Sequence, residues 1–237
     1  YIKNKKILSK NFCYDKSMEH DACGVGMIAT TDGKKSRKIV DYGIEALKSI
    51  WHRGAVDADG KSGDGAGIQI EIAPEFFKEK ILVTGHTPDE TKRICVGMIF
   101  LPRTNYTHQE KCREIIESAL LQQNYYIYGW RQVPFNSNVL GRTAEQSRPE
   151  IAQVLFKKNE NLETNDLERD LFETRKKIEK LARENQLKNF YICSFSSRSI
   201  VYKGMFLAEM LAEFYPDLND KKFTSRFAIF HQRYSTN

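Results

Sequence analysis

The chain has 237 residues, 41% of them hydrophobic and 29% charged, with a formal net charge of +6 at pH 7. This length suffices for one domain with a substantial core, and no stretch is apolar over the length of a membrane span or a secretory signal. The Lys and Arg residues are dispersed among Asp and Glu, which favours a cytoplasmic enzyme that binds neither nucleic acid nor a membrane.

The predicted fold opens with a strand and a helix. The apolar run at residues 23–30 is expected to be a buried strand, and a helix is expected to begin near Ser36. The Gly- and Asp-rich segment 55–67 predicts a loop with a tight turn. Alternating Ile residues at 68–72 then predict a half-buried strand.

The remaining sequence alternates between predicted strands and helices. The run at 94–101 is continuous enough to be a strand buried on both faces. Segments 190–195 and 200–202 are expected to pair as a hairpin. Further strands are predicted at 125–134, 150–156 and 226–231, and further helices around 112–119, 166–185 and 207–214.

The cysteines are odd in number, widely spaced and without a C-x-x-C pair, which argues against a disulfide framework and a zinc site. We expect reduced thiols, with the last three on core faces. The five are Cys13, Cys23, Cys95, Cys112 and Cys193.

Cys23 is the candidate nucleophile, because a thiol is partly ionised near neutral pH. Gly24 and Gly26 leave little bulk around it, so a substrate could approach closely. No base lies beside it in the sequence, and a buried structural cysteine is the alternative interpretation.

Four segments, in order, resemble the class II glutamine amidotransferases, and among them the glutaminase domain of the glutamate synthases. They are residues 19–29 (EHDACGVGMIA), 52–68 (HRGAVDADGKSGDGAGI), 203–217 (KGMFLAEMLAEFYPD) and 231–237 (HQRYSTN). The resemblance implies an α+β fold, the four-layer αββα sandwich of the N-terminal nucleophile hydrolases, incomplete at the C-terminal end. It also implies a leader at residues 1–22 that is removed on maturation, and a partial amidotransferase domain at 23–237.

This family supplies the base that the sequence around Cys23 lacks. Removal of the leader frees the α-amino group of Cys23, whose pKa of about 7.7 to 8.0 suits a general base. The thiol would then attack the side-chain amide of glutamine and release ammonia. We expect the unprocessed chain to be inactive.

Two of these segments, 231–237 and 52–68, imply substrate-binding residues. Arg233 is expected to hold the α-carboxylate of glutamine through two parallel hydrogen bonds. Thr236, and with less support Tyr234, would line the pocket. Arg53 would organise the site by charge and hydrogen bonding, whereas His52 could equally be a satisfied structural histidine.

The resemblance also implies partners and cofactors outside this chain. The full-length protein would bind FMN and a 3Fe-4S cluster, and would pass ammonia through a tunnel to 2-oxoglutarate. Its electrons would come from an NADPH-oxidising small subunit or from ferredoxin. The residues that complete the oxyanion hole would lie beyond Asn237.

The same segments are open to other interpretations. Another class II amidotransferase would have a shorter connection between the segments that carry Arg53 and Arg233. A non-catalytic binding module would keep the scaffold with an unprocessed Cys23. The Gly-rich segment 55–67 lacks G-K-[ST] and precedes a strand, so it does not predict a phosphate-binding loop. His20, Asp21 and Cys23 have no further ligands at metal-binding spacing.

Overall fold

The computed structural model describes residues 24–233 together with Ile7 and Lys10, so Cys23 and residues 234–237 lie outside the described part. The strands of the described part are β1 Gly24–Ala29, β2 Ala66–Glu71, β3 Cys95–Leu101, β4 Tyr125–Gln132, β5 Glu150–Lys158, β6 Tyr191–Ser196, β7 Ser199–Gly204 and β8 Phe227–Gln232. The α-helices are α1 Arg37–Ser49, α2 Pro74–Val83, α3 Tyr106–Gln122, α4 Arg142–Ser147, α5 Thr164–Glu184 and α6 Leu211–Phe214. Short 3-10 turns occupy Trp51–Arg53, Ser137–Val139, Ala208–Met210 and Pro216–Asn219.

The strands form two four-stranded sheets. The first has the order β1-β8-β2-β7 and the second β4-β5-β3-β6, and every pair is antiparallel. Helix α1 contacts the first sheet, whereas α5 contacts β6, and α3 packs against α5 and β4 of the second sheet. This arrangement confirms the predicted α+β class with paired sheets and helices.

Two hydrophobic clusters hold these layers together. The larger joins residues of both sheets, such as Ile70 and Met98, with α1, α2 and the segment 206–223. The smaller lies between the second sheet and the helices α3 and α5, with Ile99 and Ile178 fully buried. Burial of apolar surface at about 25 cal/mol per Å² is therefore the main force that stacks the layers.

The predicted helix start near Ser36 is confirmed. The Ser36 hydroxyl accepts a hydrogen bond from the backbone N–H of Lys38 at 3.2 Å, which caps the first turn of α1. The buried face of α1 consists of Ile39, Val40, Gly43, Ile44 and Leu47.

The burial expected for the first two strands is wrong in both cases. Strand β1 lies at a sheet edge, where Val25 and Met27 are 64% and 67% exposed. Strand β2 lies between β8 and β7 and is buried on both faces except at Gln69. Its terminal Glu71 is buried because Arg226 binds the carboxylate through its backbone N–H and its guanidinium.

The hairpin expected from β6 and β7 does not form. Strand β6 pairs with β3 in the second sheet, and β7 pairs with β2 in the first. The Ser196 hydroxyl accepts hydrogen bonds from the backbone N–H groups of Arg198 and Ser199, and Glu168 binds Ser196 and Ser197. These bonds turn the chain from one sheet into the other.

The single helix expected at 207–214 is divided into the 3-10 turn Ala208–Met210 and the four-residue helix α6. Pro216 restricts the residue before it, and Tyr215 has the extended backbone angles φ −109° and ψ 91°. The helix therefore ends at Phe214.

A buried ion pair connects the segment after α6 to the second sheet. The guanidinium of Arg131 in β4 donates to both carboxylate oxygens of Asp217, at 2.6 and 2.8 Å. The Tyr202 hydroxyl donates to the same carboxylate at 2.9 Å, and Gln153 accepts from Arg131 at 2.7 Å. The Asp217 side chain is only 4% exposed, so these partners replace its lost hydration.

We predict that Asp217→Asn lowers the free energy of unfolding by about 3 kcal/mol, because it leaves the Arg131 charge buried without its counter-ion. Urea denaturation measures this change. The control is Glu114→Gln, which removes the exposed ion pair with Lys111 and should change stability by less than about 1 kcal/mol. Equal effects of the two substitutions would contradict the structural role of Asp217.

Candidate functional site

Three strand ends meet at Gln232, the last residue of β8. Gln232 is in register with Gly24 of β1 on one side and with Ala66 of β2 on the other. Because β1 and β2 are both antiparallel to β8, their first residues lie beside its last residue. The register therefore brings together the residue after Cys23, the residue before Arg233 and the end of the Gly-rich loop.

The turn Trp51–Arg53 lies directly beneath Gly24. A Cβ atom built on Gly24 would lie 2.9 Å from Cδ1 of Ile50 and 3.3 Å from Cβ of Arg53. The backbone N–H of Arg53 donates to the Ile50 carbonyl at 2.9 Å, which closes the turn after α1. The structure thus places Arg53 beside Gly24, the residue that follows Cys23 in the sequence.

The Gly-rich segment forms a tight turn that leads into β2. Asp59 accepts hydrogen bonds from the backbone N–H groups of Lys61 and Ser62 and from the Ser62 hydroxyl. These bonds, led by that of the hydroxyl, hold the pKa of Asp59 well below its usual range. The predicted tight turn is present, with the Gly60 N–H donating to the Asp57 carbonyl, and the segment leads into strand β2.

Arg233 follows β8 in a left-handed backbone conformation, with φ +77°. Its backbone N–H donates to the Gly65 carbonyl at 2.8 Å, and its Nε lies 3.4 Å from Oδ2 of Asp64. Oδ2 of Asp64 also accepts a hydrogen bond from the backbone N–H of Ala55 at 3.1 Å. Asp64 therefore links Arg233 to the end of the block that carries Arg53.

A cavity of about 750 Å³ opens beside Arg233. Asp64, His231 and Arg233 line it from the first sheet, and Phe100 and Tyr191 line it from the second. Burial, followed by the charge of Lys203, lowers the pKa of His231, which favours a neutral imidazole. The cavity is lined by apolar side chains and by the cationic side chains of Arg103, Arg148, Lys203 and Arg233, and its volume is typical of small-molecule sites.

Cys23, Tyr234 and Thr236 lie outside the described residues. His52 is exposed, with its ring edge-on to that of Trp51 and the ring centroids 6.5 Å apart.

Two residues at this end of the sheet, Asp64 and Gln232, had no predicted role. Asp64 was only one of several Asp residues in a polar loop, and Gln232 was one letter of the HQRYSTN block. Strand register reveals the position of Gln232, and the contact with Arg233 reveals that of Asp64; neither was predictable from the local sequence pattern.

The three cysteines of the described part are buried free thiols, as predicted. Burial raises the pKa of Cys112 to about 11 and that of Cys193 to about 12, and it raises the pKa of Cys95 further. Low thiolate content makes such groups poor nucleophiles.

Within the described residues, no three His, Cys, Asp or Glu side chains are grouped to hold a metal ion. No described helix has the length and apolar character needed to cross a membrane.

The sequence profile of the family described as glutamine amidotransferases class-II matches residues 23–237. The chain is 53% identical over 234 residues to the glutamate synthase [NADPH] large chain of Azospirillum brasilense, covering 99% of this chain and 15% of that protein. It is 44% identical to the ferredoxin-dependent glutamate synthase of Pyropia yezoensis, and 39% identical to the chloroplastic ferredoxin-dependent enzyme of Spinacia oleracea. Each of these alignments covers 92% of this chain and 14% of the relative. The chain thus spans about one seventh of the length of these relatives, and it belongs to the class II glutamine amidotransferases.

Proposed function

We propose that this chain is the glutaminase part of a glutamate synthase, with Cys23 as its nucleophile. The observation that carries the proposal is the register at Gln232, which gathers the residue after Cys23, the Arg53 turn and Arg233 at one end of the first sheet. The family match begins at Cys23, which supports removal of residues 1–22.

In the proposed reaction, the free α-amino group of Cys23 takes the thiol proton, and the sulfur attacks the side-chain carbonyl carbon of glutamine. The C–N bond breaks, and ammonia leaves with a proton from the α-ammonium group. Water then hydrolyses the glutamyl thioester, which yields glutamate and restores the thiol.

Arg233 would bind the α-carboxylate of glutamine. Asp64 lies nearest to the Nε edge of the guanidinium, at 3.4 Å. Because this contact is made by Nε, the proposal assigns the Nη edge of the guanidinium to two parallel hydrogen bonds with the carboxylate. Thr236 and Arg53 would complete the polar wall of the site.

In the full-length enzyme, we propose that the ammonia reaches 2-oxoglutarate and is incorporated by reduction into glutamate in the cytoplasm. FMN and a 3Fe-4S cluster would supply the electron transfer, with NADPH or ferredoxin as the source. The described cysteines are buried, and no three His, Cys, Asp or Glu side chains of the described residues are grouped, so this part does not fit an iron–sulfur cluster. We assign their binding to the rest of the protein.

Cys23→Ala in the full-length enzyme should lower glutaminase activity at least about a thousandfold, because the nucleophile is lost. Peptide mapping after treatment with a glutamine-analogue diazoketone should find the label on Cys23. The buried thiols of Cys95, Cys112 and Cys193 serve as internal controls and should remain unmodified. Wild-type activity in Cys23→Ala would refute the proposed nucleophile.

Intact-mass analysis of the active enzyme should show a chain that begins at Cys23. An α-amino group within a peptide bond cannot act as the base, so the unprocessed form should be inactive. An active enzyme that retains residues 1–22 would rule out this mechanism.

Arg233→Lys should raise the KM for glutamine about tenfold or more, because an ammonium group cannot form two parallel bonds to the carboxylate. Steady-state kinetics with glutamine measure this effect. The matched control is Arg226→Lys at the other end of β8, where the side chain binds Glu71 and faces no proposed ligand. A KM that is unchanged in Arg233→Lys would contradict the assignment.

A further inference from the structure

The side chain of Gln232 is almost fully buried, with 4% exposure. Its Nε2 donates a hydrogen bond to the Trp51 carbonyl at 3.1 Å. Its Oε1 is buried and has no hydrogen-bond partner among the described residues. A buried amide oxygen without a donor is destabilising and rare in native proteins, so this one requires a physical explanation.

The turn beneath Gly24 is shaped around this amide. A Cβ atom on Gly54 would lie only 2.0 Å from Nε2 of Gln232, so any side chain at this position would displace the amide. The Trp51 carbonyl accepts from both Gly54 N–H and Gln232 Nε2, at 3.1 Å each. Gln232 thereby fixes the turn that carries Arg53, and Oε1 is the one polar atom of the amide left over.

We propose that Gln232 is a working part of the glutaminase site, and that its Oε1 accepts a hydrogen bond from an ammonium N–H that the reaction brings to this strand end. This inference rests on the proposed function. Two groups have that chemistry: the α-amino group of processed Cys23, and the α-ammonium group of bound glutamine.

The position of Gln232 is what selects these two donors. Gln232 pairs with Gly24, the neighbour of Cys23, and it precedes Arg233, the proposed ligand of the substrate carboxylate. The carboxylate and ammonium groups of glutamine share one carbon atom, so a substrate bound by Arg233, the next residue in the chain, would bring its ammonium group to the same strand end. An amide oxygen accepts either donor and adds no net charge beside two arginines.

The test uses two variants of the full-length enzyme. Gln232→Met keeps the approximate length of the side chain and removes both polar atoms, whereas Gln232→Glu keeps an acceptor and adds a negative charge. The matched control is Gln109→Met, since Gln109 is a buried glutamine whose Nε2 also donates to a backbone carbonyl, that of Pro102. Thermal denaturation establishes that each variant is folded.

Gln232→Met should lower kcat/KM for glutamine about 10- to 100-fold, the range expected for a lost hydrogen bond to a charged group. Gln109→Met should stay within about twofold of wild type. If the donor is the substrate ammonium, the loss is a higher KM with an unchanged pH profile. If the donor is the Cys23 amine, kcat falls and the acid limb of the profile moves.

The direction of that movement follows from charge. Loss of the acceptor destabilises the ammonium form and lowers its pKa, so Gln232→Met moves the limb to lower pH. Gln232→Glu stabilises the ammonium form and moves the limb to higher pH. The variants leave unchanged the other charged or titratable side chains on the elements that meet here, which are His52, Arg53, Asp64, His231 and Arg233.

A folded Gln232→Met enzyme with wild-type kcat, KM and pH profile would overturn this inference alone. Equal losses in Gln232→Met and Gln109→Met would also overturn it, because they would indicate general damage to a buried site. If Gln232→Met fails to fold, an unshifted pH profile together with an unchanged KM in Gln232→Glu would overturn it in the same way. An inactive wild-type enzyme would refute the proposed function itself.

Discussion

The candidate site depends on the pairing of one strand, β8, with an antiparallel neighbour on each side. Its backbone bonds to β1 and β2 at the same residue, Gln232, and so places Gly24 and Ala66 on either side of it. A shift of one residue in either ladder would turn the Gln232 side chain to the other face and separate the three segments. Their side chains act together only because this register is kept.

The wall of the cavity opposite β8 depends on a second set of contacts. Phe206, Phe214 and Tyr215 line the cavity and pack into the larger cluster, while Asp217 binds Arg131 across to the second sheet. A buried ion pair requires good geometry because both charges have lost their hydration. It ties the segment after β7 to strand β4 of the second sheet.

Local backbone geometry adds a further constraint at Arg233. The other described non-Gly residues with positive φ are Asn124, Gln186 and Asn189, and Arg233 is the one with a charged side chain. A left-handed residue of this kind costs energy and persists where surrounding contacts enforce it. The bond from its N–H to Gly65 is such a contact, and it aims the guanidinium along the end of the sheet toward Asp64.

Much of the secondary structure was predictable because it follows from local periodicity. The cap at Ser36, the apolar stripe of α3 and the long α5 lie where the pattern placed them. Burial was less predictable, since the apolar β1 lies at an edge and the alternating β2 lies between two strands. An edge strand and a central strand differ in the elements beside them, and the local sequence pattern does not encode those neighbours.

The sequence by itself determined the α+β class, the family and the position of Cys23 within a recognisable block. Only the tertiary structure decided that β6 and β7 belong to different sheets, and that Asp64 and Gln232 lie beside Arg233 and the Arg53 turn. Each of these depends on hydrogen bonds between segments far apart in the chain, such as Gln232 to Trp51, 181 residues away. Sequence motifs identify the reacting groups, but the long-range pairing of strands determines which of them lie close together.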